Sequence, residues 1–169
     1  PVTEQIMEKM GNTFILMGTS LIFSILVAIP LGIFLAVNKN SITSKVSSVF
    51  NYIGVSIPSF WIGMILISIF SVKLNIFPSG GMHTIGNDSI GDLVKHLVLP
   101  VITLGLYNTA IFTNYVEASV NEQLKKQYVI TARAKGLSEK VILFKHVLKN
   151  SLTSLVTILG MSIQKLVTG

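Results

Sequence analysis

Gln127-Tyr128-Val129-Ile130-Thr131-Ala132-Arg133-Ala134-Lys135-Gly136-Leu137-Ser138-Glu139 is the stretch around which the rest of the chain is arranged. It is polar, dense in charge and patterned, and it lies between two long apolar spans. Gln127 to Lys135 holds no helix breaker, and Ala132, Arg133, Ala134 and Lys135 are good helix formers. Gly136 supplies a stop, because glycine alone enters positive φ without strain. Ser138 can cap a second helix, with Glu139 at its positive dipole end. The stretch therefore reads as a short helix, a tight break at Gly136, and a second helix.

The surroundings of that stretch are apolar. Of 169 residues, 50% are hydrophobic and 12% charged, about half the charged share of a soluble domain. The net charge of +6 raises nucleic acid as a partner. However, the cations sit between apolar spans and no aromatic–basic ribbon accompanies them, so nucleic acid is not expected. There is no cysteine, which excludes disulfides and thiolate metal sites. The chain starts at Pro1 without a methionine and stops at Gly169 inside an apolar run, so a piece of a longer polypeptide is expected.

A lipid bilayer needs about 20 apolar residues per helix, and the spans expected on that ground are 11–38, 46–72, 93–116 and 151–169. The first contains Pro30 and Gly32, and the second contains Pro58 near its middle. The fold class is therefore an all-α integral membrane protein, a bundle of about four transmembrane helices, with 117–150 as the polar loop. Asn51, Ser56, Ser59 and Trp61 mark the second span, and Asn108 and Asn114 the third. Such polar points either bond helix to helix or line a translocation pathway. Lys165 lies about 15 residues, or some 22 Å, into the last span. It either faces a pathway or snorkels to the interface. His83, Asp88, Asp92 and His96 follow a Pro78-Ser79-Gly80-Gly81 turn cluster, but their spacing fits no tight metal-ligand motif, so a solvated external loop is expected.

Charge sets the orientation. The segments 39–45 and 117–150 are separated by two spans and share a side. Together they carry Lys39, Lys45, Lys125, Lys126, Arg133, Lys135, Lys140, Lys145 and Lys149, against Lys9, Lys73 and Lys95 on the other. Cations are retained in the cytoplasm, so the Gly136 loop faces in and the Pro78 loop faces out.

The string Thr131-Ala132-Arg133-Ala134-Lys135-Gly136-Leu137 resembles the cytoplasmic EAA loop of binding-protein-dependent ABC importer permeases, closest to the dipeptide, oligopeptide and nickel branch. Ala28-Ile29-Pro30-Leu31-Gly32, Ser56-Ile57-Pro58-Ser59-Phe60-Trp61 and Leu148-Lys149-Asn150-Ser151-Leu152 are similar to the same branch. Glu117, where the family usually carries a base, and Ser154, where it commonly carries proline, depart from it. The resemblance implies a multi-pass permease of the bacterial cell membrane, importing peptides or, alternatively, nickel, with the family's first and last spans missing here. It implies that Tyr128, Thr131, Ala132, Arg133, Ala134, Lys135, Gly136, Leu137, Ser138 and Glu139 form a coupling helix that docks on an ATPase subunit. The implied partners are two cytosolic ATP-binding subunits, a second permease subunit (a different chain or a copy of this one) and an external substrate-binding protein. ATP and Mg would then be bound by the ATPase subunits, and no cofactor or metal by this chain.

The residues themselves show no phosphate-binding glycine loop and no catalytic triad or carboxylate pair, so no enzymatic role is expected and driving force must enter from outside. Two spans gripping a rigid helix can transmit such a force. In the second helix Val141, Phe144 and Leu148 make an apolar stripe expected to pack beneath the spans. Two rivals remain. An ion-coupled secondary transporter would want acidic groups at midplane, which the complete spans lack. A non-transporting assembly protein would leave the Gly136 break without a purpose.

Overall fold

The computed structural model describes residues 2–153 together with Val156 and Gly160. Every regular element among them is helical: α1 (Val2–Val37), α2 (Ile42–Ser56), α3 (Ser59–Leu66), α4 (Ile90–Leu124), α5 (Gln127–Ala134) and α6 (Glu139–Val141). Lys9–Val37 and Ile90–Leu124 are long and apolar enough to cross a bilayer. The chain is an all-α membrane protein. The outward faces of its helices fit that solvent, with Ile22, Leu26, Phe14 and Phe60 presented to the surroundings.

The expected 46–72 span is not one straight helix. Proline has no N–H and disfavours helical geometry in the residue before it. Accordingly α2 ends at Ser56, Pro58 sits at φ −60°, ψ 133°, and α3 restarts behind it. The two parts are bent by 101° and count as a third crossing only if taken as one broken span. Pro30 and Pro100, by contrast, lie within continuous helices. The 151–169 span and Lys165 fall largely or wholly outside the described residues.

Two compact units divide the chain: Pro1–Ile25 with Ile53–Thr109, and Leu26–Tyr52 with Ala110–Gly169. In the first, α1 and α4 touch through small residues. Ser24 is buried, its Oγ lying 2.7 Å from Ser20 O and 3.0 Å from Gly105 O. The ring of Phe23 occupies the space a side chain at Gly105 would need. After α3 the helix widens over Ile67–Lys73 into π-type turns, closed by Leu74 N–H to Ile69 O at 2.9 Å. Asn75 then ends it in the left-handed region, φ 51°, which asparagine tolerates better than most residues.

The second unit holds the core beneath the Gly136 loop. Ala36 of α1, Val116 and Val120 of α4, Val129 and Ala132 of α5, and Ile142 and Val147 form one buried cluster. Gly32 makes it possible: a Cβ there would stand 2.6 Å from Val116 Cβ and 2.9 Å from Thr113 O. Helices meet this closely in membranes by putting small residues at the contact. The helix α4 also runs on to Leu124. The expected polar loop therefore begins as a helical extension, Glu117 to Leu124, in which Val120 is buried.

Candidate functional site

The site is built from α5, the Gly136 turn and the helix that follows. The first helix opens after Lys126, which is extended (φ −72°, ψ 150°) and caps without a side-chain bond. Lys126 Nζ pairs instead with Glu122 Oε1 at 2.8 Å. Tyr128 is half-buried and its hydroxyl donates to Gln123 Oε1 at 2.9 Å. Val129 and Ala132, three apart, face the core.

The end of α5 is a two-bond terminator. Gly136 N–H donates to Arg133 O at 2.9 Å and Leu137 N–H to Ala132 O at 3.2 Å. That is the Schellman arrangement, which requires a left-handed residue between the two donors' helix and exit. Gly136 supplies it with φ 76°. A Cβ on Gly136 would meet nothing within 4 Å, so backbone conformation, and not space, selects glycine here.

The second helix departs from expectation in two ways. Ser138 is the cap residue (φ −68°, ψ 148°), but its hydroxyl makes no cap bond. Its carbonyl accepts from Ile142 N–H at 3.0 Å. The Val141, Phe144, Leu148 stripe is not the packed face: Phe144 is 66% and Val141 40% exposed. Over Ile142–Val147 the helix is π-type, with Leu148 N–H bonded to Leu143 O. In that wider helix residues five apart share a face, so Ile142 and Val147 take the buried positions.

Arg133 and Glu139 close across the turn. The guanidinium donates through Nε to Oε1 at 2.7 Å and through Nη2 to Oε2 at 3.0 Å, a bidentate geometry that lysine could not reproduce. The Arg133 hydrogen bond holds the Glu139 carboxyl below its ordinary range. The same bond holds the guanidinium pKa up. Below the pair lies a cleft of about 220 Å³ lined by Ala36, Val37, Leu124, Arg133, Glu139, Lys140 and Leu143.

Of the ten residues singled out, Ala132 is buried and Tyr128 half-buried. Thr131, Arg133, Ala134, Lys135, Gly136, Leu137, Ser138 and Glu139 are exposed. They form one contiguous outward surface on an anchored base. The candidate pathway residues are not gathered in the same way. Asn51 is buried and donates through Nδ2 to Ala110 O at 3.1 Å and Asn114 Oδ1 at 2.6 Å. It takes the helix-bonding role and lines no open surface. Ser56 and Trp61 are exposed, Ser59 and Asn108 half-buried. Thr109 and Thr113 on α4 carry buried hydroxyls without a hydrogen-bond partner. Sequence reasoning missed them, since threonine in an apolar helix gives no distinguishing pattern. No group of three or more His, Cys, Asp or Glu able to hold a metal occurs among the described residues.

Comparison with known proteins identifies relatives of the chain as a whole. Oligopeptide transport system permease protein AppB of Bacillus subtilis (strain 168) is 38% identical over 170 residues, covering the whole of this chain and 54% of that protein. Glutathione transport system permease protein GsiC of Escherichia coli (strain K12) is 34% identical over 169 residues, covering the whole of this chain and 52% of that protein. The chain thus spans about half the length of these relatives. The family described as binding-protein-dependent transport system inner membrane component matches residues 28–169, the Gly136 turn included, and the chain belongs to that family.

Proposed function

We propose that this chain is part of a permease subunit of an ATP-driven peptide importer in the bacterial inner membrane, and that residues 127–139 are its contact with a cytosolic ATPase subunit. The observation that carries the proposal is the build of that stretch. Its outward residues are fixed by a two-bond terminator and the Arg133–Glu139 fork, while Val129 and Ala132 are set in a core shared with α1 and α4. A push on the tip is then delivered to two long helices as a rigid-body shift, without being lost in a loose loop.

In this proposal two ATPase subunits bind ATP and Mg and carry the hydrolysis. A second permease subunit completes the pathway, and an external binding protein delivers substrate. ATP-driven closure of the ATPase pair moves the coupling stretches and rocks the spans between outward and inward openings. The names of AppB and GsiC, for oligopeptides and glutathione, favour a peptide cargo.

Site-directed cross-linking tests the contact. With Lys135→Cys in the intact permease and single cysteines in the ATPase, a disulfide forms between the subunits in assembled vesicles and responds to ATP. Failure of every ATPase position to cross-link, with cross-linking elsewhere on the permease intact, overturns the proposal.

A further inference from the structure

The cleft beneath the Arg133–Glu139 fork stands where the chain leaves the bilayer. Its floor is apolar and comes from three elements: Ala36 and Val37 at the end of α1, Leu124 at the end of α4, and Leu143 of the π-type turns. The α1 run carries no charge from Gly11 to Asn38, and Lys39 follows. A spanning helix of that kind puts its last apolar turn at the edge of the hydrocarbon layer. With the Gly136 loop facing in, that edge is the cytoplasmic one.

The rim of the cleft is cationic after its own pairing is counted. Glu139 gives both carboxylate oxygens to Arg133, so the one acid in the wall is already neutralised. The guanidinium has five N–H donors and uses two of them there. Lys140, the other charged wall residue, is exposed. Lys39 and Lys125, close along the chain to the floor residues Val37 and Leu124, are exposed too. On this side the ion pairs among the described residues are Glu122–Lys126 and Arg133–Glu139, which leaves Lys39, Lys125 and Lys140 without a carboxylate. Next to Lys140 on the second helix, Val141 and Phe144 turn outward, with Lys145 beside them. Exposed apolar side chains flanked by lysines are what a helix presents to a headgroup layer.

We propose that this cleft binds the headgroup of an anionic glycerophospholipid of the cytoplasmic leaflet. The phosphate takes the remaining N–H groups of Arg133 and the ammonium of Lys140, and the first acyl carbons rest against Val37 and Leu143. At about 220 Å³ the cleft is smaller than the roughly 300–1,000 Å³ of sites that enclose a whole drug-sized ligand. That size fits a headgroup whose chains stay in the bilayer. Net charge makes the selection. A choline headgroup would bring its own cation to a rim that already holds uncompensated ones, whereas basic pockets on the cytoplasmic side retain anionic lipids. Bound there, the lipid bridges the ends of α1 and α4 to both helices of the Gly136 turn. The site rests on the inward orientation of that turn and requires no contact with an ATPase.

Native mass spectrometry of the intact permease, released without its ATPase from nanodiscs of phosphatidylcholine and a minority of phosphatidylglycerol, tests the site. The expected result is retention of phosphatidylglycerol in preference to phosphatidylcholine. Lys140→Gln should weaken that retention about fivefold, the factor for one cation at an anionic membrane surface. Val37→Trp, at a half-exposed position, fills the cleft without changing charge and should also lower it. Lys135→Gln removes the same charge from the exposed tip, outside the cleft, and should leave it unchanged. Melting curves in phosphatidylcholine alone check that the three variants are folded. No preference for phosphatidylglycerol, an equal loss in Lys140→Gln and Lys135→Gln, or retention untouched by Val37→Trp overturns the site. Displacement of the lipid by added ATPase overturns it as well, because the cleft would then belong to that subunit.

Discussion

Arg133 and Glu139, six residues apart, grip each other by two parallel hydrogen bonds across the Gly136 turn, at 2.7 and 3.0 Å. Both side chains are solvated, and pairs of this kind add little to global stability. Their effect is geometric: the angle at which α5 meets the next helix is fixed from outside the turn as well as from within it. The fork's pH dependence follows from its sign. The Glu139 carboxyl is lowered from its ordinary value of 4.5, so its contribution is fully present above 4.5 and disappears as pH falls through the lower folded value. A carboxyl-carbon NMR titration should place the Glu139 midpoint below that of free glutamate, and Arg133→Ala should return it to the ordinary range. Arg133→Lys should restore charge without the second bond, and under the proposed function peptide uptake should recover only in part.

Gly136→Ala should cost about 1–2 kcal/mol, because a Cβ in the left-handed region carries a penalty of that size. Gly136→Asn should cost less. Since a Cβ there meets open space, the loss should be the same whether the ATPase is bound or absent if the backbone alone is responsible. Thermal unfolding of the purified permease measures the first. Exchange protection at the Leu137 amide, bonded to Ala132 O, measures local fraying.

Gly32→Ala should destabilise by about 1–3 kcal/mol, the range for forcing a methyl into a packed contact. The new atom would overlap Val116 and the Thr113 carbonyl, and relief requires α1 and α4 to part. Gly18→Ala on the same helix, where nothing lies within 4 Å, is the control and should be neutral or slightly stabilising. Detergent-solubilised melting curves of the two variants separate packing from helix propensity.

Asn51→Leu should cost about 1–2 kcal/mol, somewhat more than the average interhelical hydrogen bond in a membrane, because it removes the donor to Asn114 Oδ1 together with the second bond to Ala110 O. Adding Asn114→Leu should recover part of the loss, since two apolar partners leave fewer unmet groups than one. If Asn51 lined a pathway and did not bond helices together, transport would fall with no change in melting temperature.

How far the sequence could be followed depended on the kind of interaction. The Gly136 break was legible because a positive φ is a property of one residue and its neighbours. The apolar runs of α1 and α4 were legible because bilayer thickness imposes a length. Four features were not. The stripe through Val141, Phe144 and Leu148 assumed a period of 3.6, and the π-type turns moved burial to Ile142 and Val147. The break at Pro58 could have been a tolerated kink, as at Pro30 and Pro100, and only the surrounding packing distinguishes the outcomes. The loop cluster of His83, Asp92 and His96 looked scattered along the chain, and Thr84, which binds Asp92 and His96 together, carries no signal of its own. Likewise Ser138 marked the cap position, while the site used its backbone and left Arg133 to hold Glu139.

The widened turn at Ile142–Val147 carries one residue more than an α-helix would spend on the same rise, and that surplus sets the phase of everything behind it. Each residue of an α-helix advances the azimuth by about 100°. Deleting one residue here would convert the turn to ordinary pitch and swing the following segment round by that amount. Ser151, whose carbonyl accepts from the Ser119 hydroxyl at 3.2 Å, would rotate off its partner. An in-frame loss of a single codon would thus break the Ser119–Ser151 contact without altering either residue that makes it.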